Sequence, residues 1–218
     1  MIDLYTWGTP NGWKASIMLE ETGLDYRVRA VDIRTGPPYD PTFVMASPAA
    51  KIPAIVDADG PGGRPFAVFE SSAILIYLAE KSASPLLPTG LHHRHVAMQW
   101  LMFTTGGVGP LFAQAFHFLN SAPHDVPYAK TRFVNETRRL YGVMEKRLGA
   151  APFLAGPTYT IADVATFPHV SRHSRHGIDL ADFVHVRRWY GTIRARPAVG
   201  KGMAVPGGMG PITGKGRD

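Results

Sequence analysis

Short runs of alternating hydrophobic and polar residues mark the first ninety positions of this 218-residue chain. Alternation with a period of two is typical of β-strands, and it predicts four of them, at 2–6, 26–31, 54–56 and 66–69. The first two strands flank a helical pattern that begins at the capping residue Asn11 and ends at Gly23. Another helix opens at Ser71. The last two strands surround a turn rich in glycine and proline, which favours antiparallel pairing.

Beyond position ninety the hydrophobic residues recur every three or four positions, as in helices. The spacing predicts helices over 91–120, 128–148 and 183–195, the first of them loosened near Gly106. A further helix opens at Thr160, where Asp163 stands three positions later in the pattern of a capping box.

The order of elements predicts two domains. Strand, helix, strand, an irregular crossing, and then strand, strand and helix, with a proline entering the third strand, favour a thioredoxin-like α/β domain over 1–82. Residues 83–90, which contain prolines and a glycine, are predicted to link it to an all-α helical bundle over 91–206. Residues 207–218 have the composition of a mobile tail. The net charge is −3 over 1–90 and +9 over 91–218, so composition changes at the same place.

Composition excludes several classes of protein. Hydrophobic residues make up 45% and charged residues 18%, which excludes a wholly disordered chain. No apolar run is long enough to span a membrane, and no signal peptide is evident, so a cytoplasmic protein is expected. The chain has no cysteine, which excludes disulfides, thiolate metal sites and a cysteine nucleophile.

The stretch Thr9-Pro10-Asn11-Gly12, between the first strand and the first helix, is a candidate anion site. A helix N-terminus exposes unpaired N–H groups and the positive end of the helix dipole, which stabilise a thiolate. Taken alone, the same stretch fits a simple helix cap better.

Two further stretches have candidate binding chemistry. In Lys51-Ile52-Pro53-Ala54, a cis proline turn would present the backbone of Ile52 to an extended peptide, although an ordinary edge turn fits as well. At Glu70-Ser71, a carboxylate stands beside a helix N-terminus, a combination that suits the amino and carboxylate groups of an amino acid. Helix capping alone is the alternative there.

Taken together, the three stretches resemble the glutathione transferase family, and the resemblance covers about residues 1–206. TPNGWKASIMLEE, the KIPAI turn and FESSAILIYLAEK occur in the family's order and spacing. The Thr-Pro-Asn-Gly motif and the later VPYAKTRFVNETRRLY resemble the bacterial nu class, whose members use glutathione on disulfides. The resemblance implies a thioredoxin-like domain followed by a helical domain, glutathione as co-substrate, no metal, and a homodimer.

The resemblance also implies roles for individual residues. Thr9 and Asn11 would contact the glutathione sulfur, with Thr9 in the place of the catalytic serine of serine-type relatives. Ile52 would pair through its backbone with the cysteinyl group, behind a cis Pro53.

The remaining implied contacts are with the ends of glutathione. Glu70 and Ser71 would hold the γ-glutamyl end. Arg132 matches an arginine that reaches a glutathione carboxylate across a dimer interface, and Lys51 is a weaker candidate for the glycyl carboxylate.

Two positions depart from the nu pattern. Pro38 stands where a glutamine usually binds glutathione, and Ala49-Ala50 replaces Asn-Asn or Asn-Gly before the KIPAI turn. Losing a polar contact costs about 1 kcal/mol, so weakened binding is expected.

Other candidate chemistry is weaker. Tyr5 lies within a predicted strand, which argues against a phenol that activates the thiol. His169, His173 and His176 have metal-ligand spacing along one helical face, although a pocket lining or a core edge fits them as well. The basic helical half has no recognisable nucleic-acid motif, so no nucleic-acid partner is expected.

The sequence therefore predicts an enzyme that reduces disulfides with bound glutathione thiolate. Two alternatives stay open. One is a transferase that conjugates glutathione to electrophiles, and the other is a non-enzymatic interaction protein with the same fold.

Overall fold

A computed structural model of the chain describes residues 1–37 and 39–207. It divides into two compact units, and each is described separately. The first contains Met1–Leu87 together with residues 195–207, and the second contains Pro88–Arg194. The sequence predicts a helical domain over 91–206, but the last part of that range, residues 195–206, belongs to the first unit. Pro38 and the predicted tail from position 208 onward lie outside the described residues.

The first unit is built on a four-stranded mixed sheet in the order β2-β1-β3-β4. The strands are β1 (Ile2–Thr6), β2 (Tyr26–Ala30), β3 (Ala54–Asp57) and β4 (Phe66–Phe69). β1 pairs parallel with β2 and antiparallel with β3, and β3 pairs antiparallel with β4. All four predicted strands are present, and the predicted antiparallel pair is confirmed.

Three helices follow the strands of this unit: α1 (Pro10–Thr22), α2 (Pro41–Ala46) and α3 (Ser71–Lys81). The predicted cap of α1 at Asn11 was wrong. Thr9 is the N-cap, because its side chain accepts the N–H of Gly12, and Pro10 occupies the first helical position. α2 lies in the crossing predicted to be irregular. It has six residues and is capped by Asp40, and so short an element has no hydrophobic period to detect.

The segment after Arg194 returns to the first unit as α9 (Pro197–Met203) and packs along α1. The Ser16 hydroxyl donates to the carbonyl of Gly202 at 2.7 Å, and the Trp13 indole donates to that of Val205 at 3.1 Å. Arg196 forms a bidentate ion pair with Glu21, with both N–O distances at 2.7 Å. The packing of α9 therefore supports the helix that begins at Thr9.

The second unit is helical, as predicted. Its helices are α4 (Leu91–Phe103), α5 (Gly109–Asn120), α6 (Pro127–Ala150), α7 (Ile161–Val170) and α8 (Val184–Arg194). A π-helical turn over Thr104–Val108 separates α4 from α5, where the sequence predicted one loosened helix.

The predicted capping box of α7 is confirmed, and it extends further than the sequence shows. The buried Asp163 carboxylate accepts the N–H of Thr160 at 3.0 Å. It also accepts the N–H of Leu154 at 3.0 Å and the indole N–H of Trp189 at 2.8 Å. Burial raises the pKa of Asp163, and these hydrogen bonds oppose the rise.

Among the described residues, no helix is both long enough and apolar enough to cross a membrane.

The α1–α9 contact generates a stability prediction. A Cβ at Gly202 would lie 2.5 Å from the Cα and 2.6 Å from the backbone N of Ile17, so Gly202→Ala must push α9 away from α1. We expect this variant to lose about 1–3 kcal/mol in urea unfolding. Gly200→Ala is the matched control, because no atom lies within 4 Å of an added Cβ there. It should be neutral or slightly stabilising. Equal stability of the two variants would contradict the described packing.

Candidate active site

The strand register brings the three motif stretches to one edge of the sheet. Tyr5 on β1 pairs with Ala54 on β3, and Ala54 pairs with Phe69 on β4. β1 runs antiparallel to β3, and β3 runs antiparallel to β4. The end of β1, the beginning of β3 and the end of β4 are therefore neighbours. The loop that contains Thr9 follows the end of β1. The Lys51–Ala54 turn leads into β3, and Glu70 follows the end of β4.

The Thr9 loop is a tight turn onto the N-terminus of α1. The Thr9 hydroxyl oxygen accepts the N–H of Gly12 at 3.2 Å. Gly12 is buried, and an added Cβ would lie 2.2 Å from the carbonyl oxygen of Trp7, so this close approach requires glycine. Since the Thr9 oxygen already accepts an internal donor, its hydroxyl hydrogen is available to an external acceptor. Asn11 is exposed in the first turn of α1.

The turn before β3 is held by Ser47, a residue that sequence reasoning missed. Its buried hydroxyl donates to the carbonyl of Lys51 at 2.8 Å and accepts the backbone N–H of Lys51 at 3.3 Å. The Ile52–Pro53 peptide bond is cis. Ile52 makes no backbone hydrogen bond to any other described residue, so its N–H and C=O can pair with a ligand. The Lys51 side chain is exposed.

Glu70 and Ser71 join β4 to α3 in a strained geometry. Glu70 has φ +70° and ψ 115°, in a region that non-glycine residues rarely adopt. Its exposed carboxylate makes no capping hydrogen bond to α3 within the described part of the chain. Strain of this kind is retained where function requires the geometry. The carboxylate is thus available to a cation beside the N–H groups that open α3.

Sequence reasoning also missed Lys14, which lies behind Ser71. Lys14 is only 2% exposed, and its ammonium nitrogen lies 3.4 Å from the Ser71 hydroxyl oxygen. A detectable signal was present, because Lys14 stands four positions before Met18 and so shares the buried face of α1. A lysine on the apolar stripe of an amphipathic helix is unusual and points to a specific partner.

The other candidates lie elsewhere. Arg132 is on α6 in the second unit, and its side chain is exposed. Tyr5 is within β1, and its hydroxyl lies 3.3 Å from the Thr42 hydroxyl oxygen.

The three histidines do not share one helical face, contrary to the sequence prediction. α7 contains Pro168 and ends at Val170, so His169 is helical whereas His173 and His176 lie in a separate 3-10 turn. The His173 ring bonds to the carbonyl of Ile178 at 3.0 Å. Burial, with the charge of Arg172, lowers the pKa of His176 to about 3, so that ring is neutral. Within residues 1–37 and 39–207, no cluster of three or more histidine or acidic side chains is arranged to hold a metal.

Comparison with known proteins decides the family. Residues 9–81 match the glutathione S-transferase N-terminal domain, and residues 110–197 match the glutathione S-transferase C-terminal domain. The chain belongs to the glutathione transferase family. It is 47% identical over 204 residues to the disulfide-bond oxidoreductase YfcG of Escherichia coli, covering 93% of this chain and 94% of the relative.

Solved structures of other glutathione transferases are similar along nearly the whole chain. One, from Pseudomonas fluorescens with two glutathione bound, has a TM-score of 0.87 and 44% identity. That match covers 93% of this chain and 92% of the other. Another, from Pseudomonas putida with one glutathione disulfide bound per subunit, has a TM-score of 0.89 and 41% identity, and covers 94% and 92%.

The turn that departs from the nu pattern generates a second prediction. Ala50 has φ +50°, a left-handed conformation that costs a residue with a Cβ about 1–2 kcal/mol. Ala50→Gly removes this cost but increases the entropy of the unfolded chain, so we expect a net gain of about 0.5–1 kcal/mol in thermal or urea unfolding.

Ala49→Gly is the matched control for Ala50→Gly. Ala49 is not among the residues with positive φ, so glycine there brings only the entropy cost, and a small loss of stability is expected. A loss of stability in both variants would show that Ala50 is unstrained in solution.

Proposed function

We propose that this glutathione transferase reduces disulfides with bound glutathione. The observation that carries the proposal is the Thr9 hydroxyl. Its oxygen is occupied by the N–H of Gly12 at 3.2 Å, at the N-terminus of a thirteen-residue helix. That geometry leaves the hydroxyl hydrogen and the positive end of the helix dipole to stabilise a thiolate. Because the chain has no cysteine, the thiolate is that of glutathione.

In this proposal the remaining site residues contact different parts of glutathione. The backbone of Ile52, next to Pro53, pairs with the cysteinyl group, and Asn11 assists Thr9 at the sulfur. Glu70 binds the γ-glutamyl ammonium, and Ser71 binds its carboxylate. The exposed Lys51 and Arg132 are suited to glutathione carboxylates.

The chemistry is thiol–disulfide exchange in two steps. Bound glutathione thiolate attacks one sulfur of the substrate, so that a mixed disulfide forms and the other sulfur leaves as a thiolate. A second glutathione thiolate then attacks the mixed disulfide, which forms glutathione disulfide and releases the second substrate thiolate. The substrate gains two electrons, and two glutathione molecules lose one each.

The relatives support this stoichiometry. Their structures hold two glutathione molecules in one case and one glutathione disulfide per subunit in another. A relative that covers nearly the whole chain is named a disulfide-bond oxidoreductase. We also propose that the chain belongs to the nu class and works as a cytoplasmic homodimer, with Arg132 reaching glutathione across the dimer. The Thr-Pro-Asn-Gly motif and the segment around Arg132 support this assignment.

The function is tested by removing the Thr9 hydroxyl while keeping its shape. Thr9→Val should lower kcat/KM for glutathione-dependent reduction of a small dialkyl disulfide by about ten- to a hundredfold, because a hydrogen bond to a charged group is lost. Asn11→Ala should add to the loss. The ultraviolet absorbance of bound thiolate should show a raised thiol pKa in Thr9→Val.

Thr9→Ser is the matched control, because it keeps both the cap and the hydroxyl, and it should retain most of the activity. Full disulfide reductase activity in the Thr9→Val/Asn11→Ala double variant would exclude this site assignment.

Conjugation to electrophiles is the second candidate, since a thiolate stabilised at Thr9 attacks an electrophilic carbon as well as a disulfide sulfur. Fast turnover of a chloronitrobenzene with negligible disulfide reduction would favour it. The non-enzymatic alternative predicts that calorimetry detects no binding of glutathione or its disulfide at millimolar concentration.

A further inference from the structure

Lys14 is a charged side chain in an apolar position. It lies on α1 at 2% exposure, and its side chain reaches the first residue of α3. Burying an ammonium group is expensive unless another group compensates its charge. The position therefore requires a physical explanation beyond packing.

The ammonium lies directly behind the γ-glutamyl end of the proposed glutathione site. Its Nζ atom is 3.4 Å from Oγ of Ser71, which is the first residue of α3 and is itself 8% exposed. An ammonium group only donates hydrogen bonds, so Ser71 must be the acceptor in this contact. The Ser71 hydroxyl hydrogen is thereby turned away from Lys14.

The charges around Lys14 leave its ammonium only partly neutralised. From α3, Glu70 acts on Lys14 through its charge, and its carboxylate is exposed to solvent. From β1, Asp3 forms ion pairs with Arg27 and Arg29 instead.

The charged groups of the α9 segment are also engaged elsewhere or exposed. Arg196 pairs with Glu21 at the opposite end of α1, and Lys201 is exposed.

We propose that Lys14 is a positioning residue of the glutathione site, whose buried ammonium holds the Ser71 oxygen and makes this subsite selective for the α-carboxylate of the γ-glutamyl group. Lys14 fixes Ser71 as a donor, and its positive charge adds to that of the α3 N-terminus. Together they place an anion at Ser71 and leave the ammonium of the same ligand to Glu70. The inference rests on the proposed function, because it concerns the same ligand.

The protonation of Lys14 follows the same logic. Burial lowers the pKa of Lys14 to about 7, and the negative charge of Glu70 opposes that fall. A bound carboxylate stabilises the ammonium form, so binding raises the pKa of Lys14. As the pH rises above 7 the free protein loses this proton, and binding must restore it. Affinity for the ligand therefore falls as the pH rises above 7.

The first test combines a variant with a ligand analogue. The probes are S-methylglutathione, which has no thiol to titrate, and its analogue with a 4-aminobutanoyl group in place of γ-glutamyl, which lacks only the α-carboxylate. Lys14→Met should weaken S-methylglutathione by about tenfold or more, as expected for a lost charge-assisted contact, and the analogue by less than about twofold. Binding is measured by calorimetry on the full chain.

Lys51→Met is the matched control for this cycle. It makes the same chemical change at an exposed lysine of the same site, and it should affect both probes by equal factors. If Lys14→Met also weakens both probes equally, its role is merely structural and the proposal is overturned.

The second test needs only the unaltered protein, so it remains decisive if Lys14→Met does not fold. Calorimetry at pH 8 in buffers of different ionisation enthalpy should show proton uptake when S-methylglutathione binds and little uptake with the analogue that lacks the α-carboxylate. At pH 6 uptake should vanish with both ligands. Equal uptake with the two ligands at pH 8 would overturn the proposal.

These outcomes distinguish a failure of the proposed role of Lys14 from a failure of the proposed function. If the unaltered protein binds no S-methylglutathione at millimolar concentration, the proposed function fails. If it binds S-methylglutathione but shows neither the coupling nor the carboxylate-dependent proton uptake, only the role of Lys14 fails.

Discussion

The antiparallel register of β1, β3 and β4 is the constraint on which the candidate site depends. Tyr5, Ala54 and Phe69 lie side by side across three strands, so the segments next to them meet at one edge although together they span more than sixty residues of the chain. A shift of one residue in either pairing would turn the side chains of that strand to the opposite face of the sheet. It would also move Ile52 or Glu70 away from the Thr9 loop. The buried residues of these strands, including Leu4 and Ile55, make such a shift costly.

Helix α1 connects the sheet to the residues proposed to bind the glutathione sulfur. Two glycines permit close backbone approaches, Gly12 against Trp7 within the Thr9 loop and Gly202 against Ile17 on α1. The helix is thus held at its N-terminus by its own cap and along its side by α9. A helix fixed in this way keeps its dipole and its first N–H groups in place before a ligand arrives, which is the preorganisation that electrostatic stabilisation of a thiolate needs.

Local patterns in the sequence predicted the strands, most helices and the three motif stretches, because each of these has a period or a turn chemistry that a short window contains. They failed where the decisive contact is distant. Nothing near residue 202 indicates that its carbonyl accepts the hydroxyl of Ser16, 186 positions away. The histidines were misassigned for a different reason, because the helix ends at Val170 and the apparent spacing continues past it. Lys14 could have been predicted, since the sequence places it on the hydrophobic face of the first helix.

The same hydrogen-bonding arrangement occurs at both ends of the candidate site. At Thr9, a hydroxyl oxygen is occupied by a backbone N–H, and at Ser71 a hydroxyl oxygen is occupied by a buried ammonium. In the proposed complex each hydroxyl hydrogen faces an anion at a helix N-terminus, the glutathione thiolate at α1 and the γ-glutamyl carboxylate at α3. The difference lies in the internal donor. A backbone N–H does not titrate near neutrality, so the sulfur end keeps its polarity at all physiological pH values. An ammonium whose pKa is about 7 does titrate there, so under the proposed role of Lys14 the affinity for glutathione depends on pH. Because the protein has no cysteine of its own, that affinity also sets how much reactive sulfur the site contains.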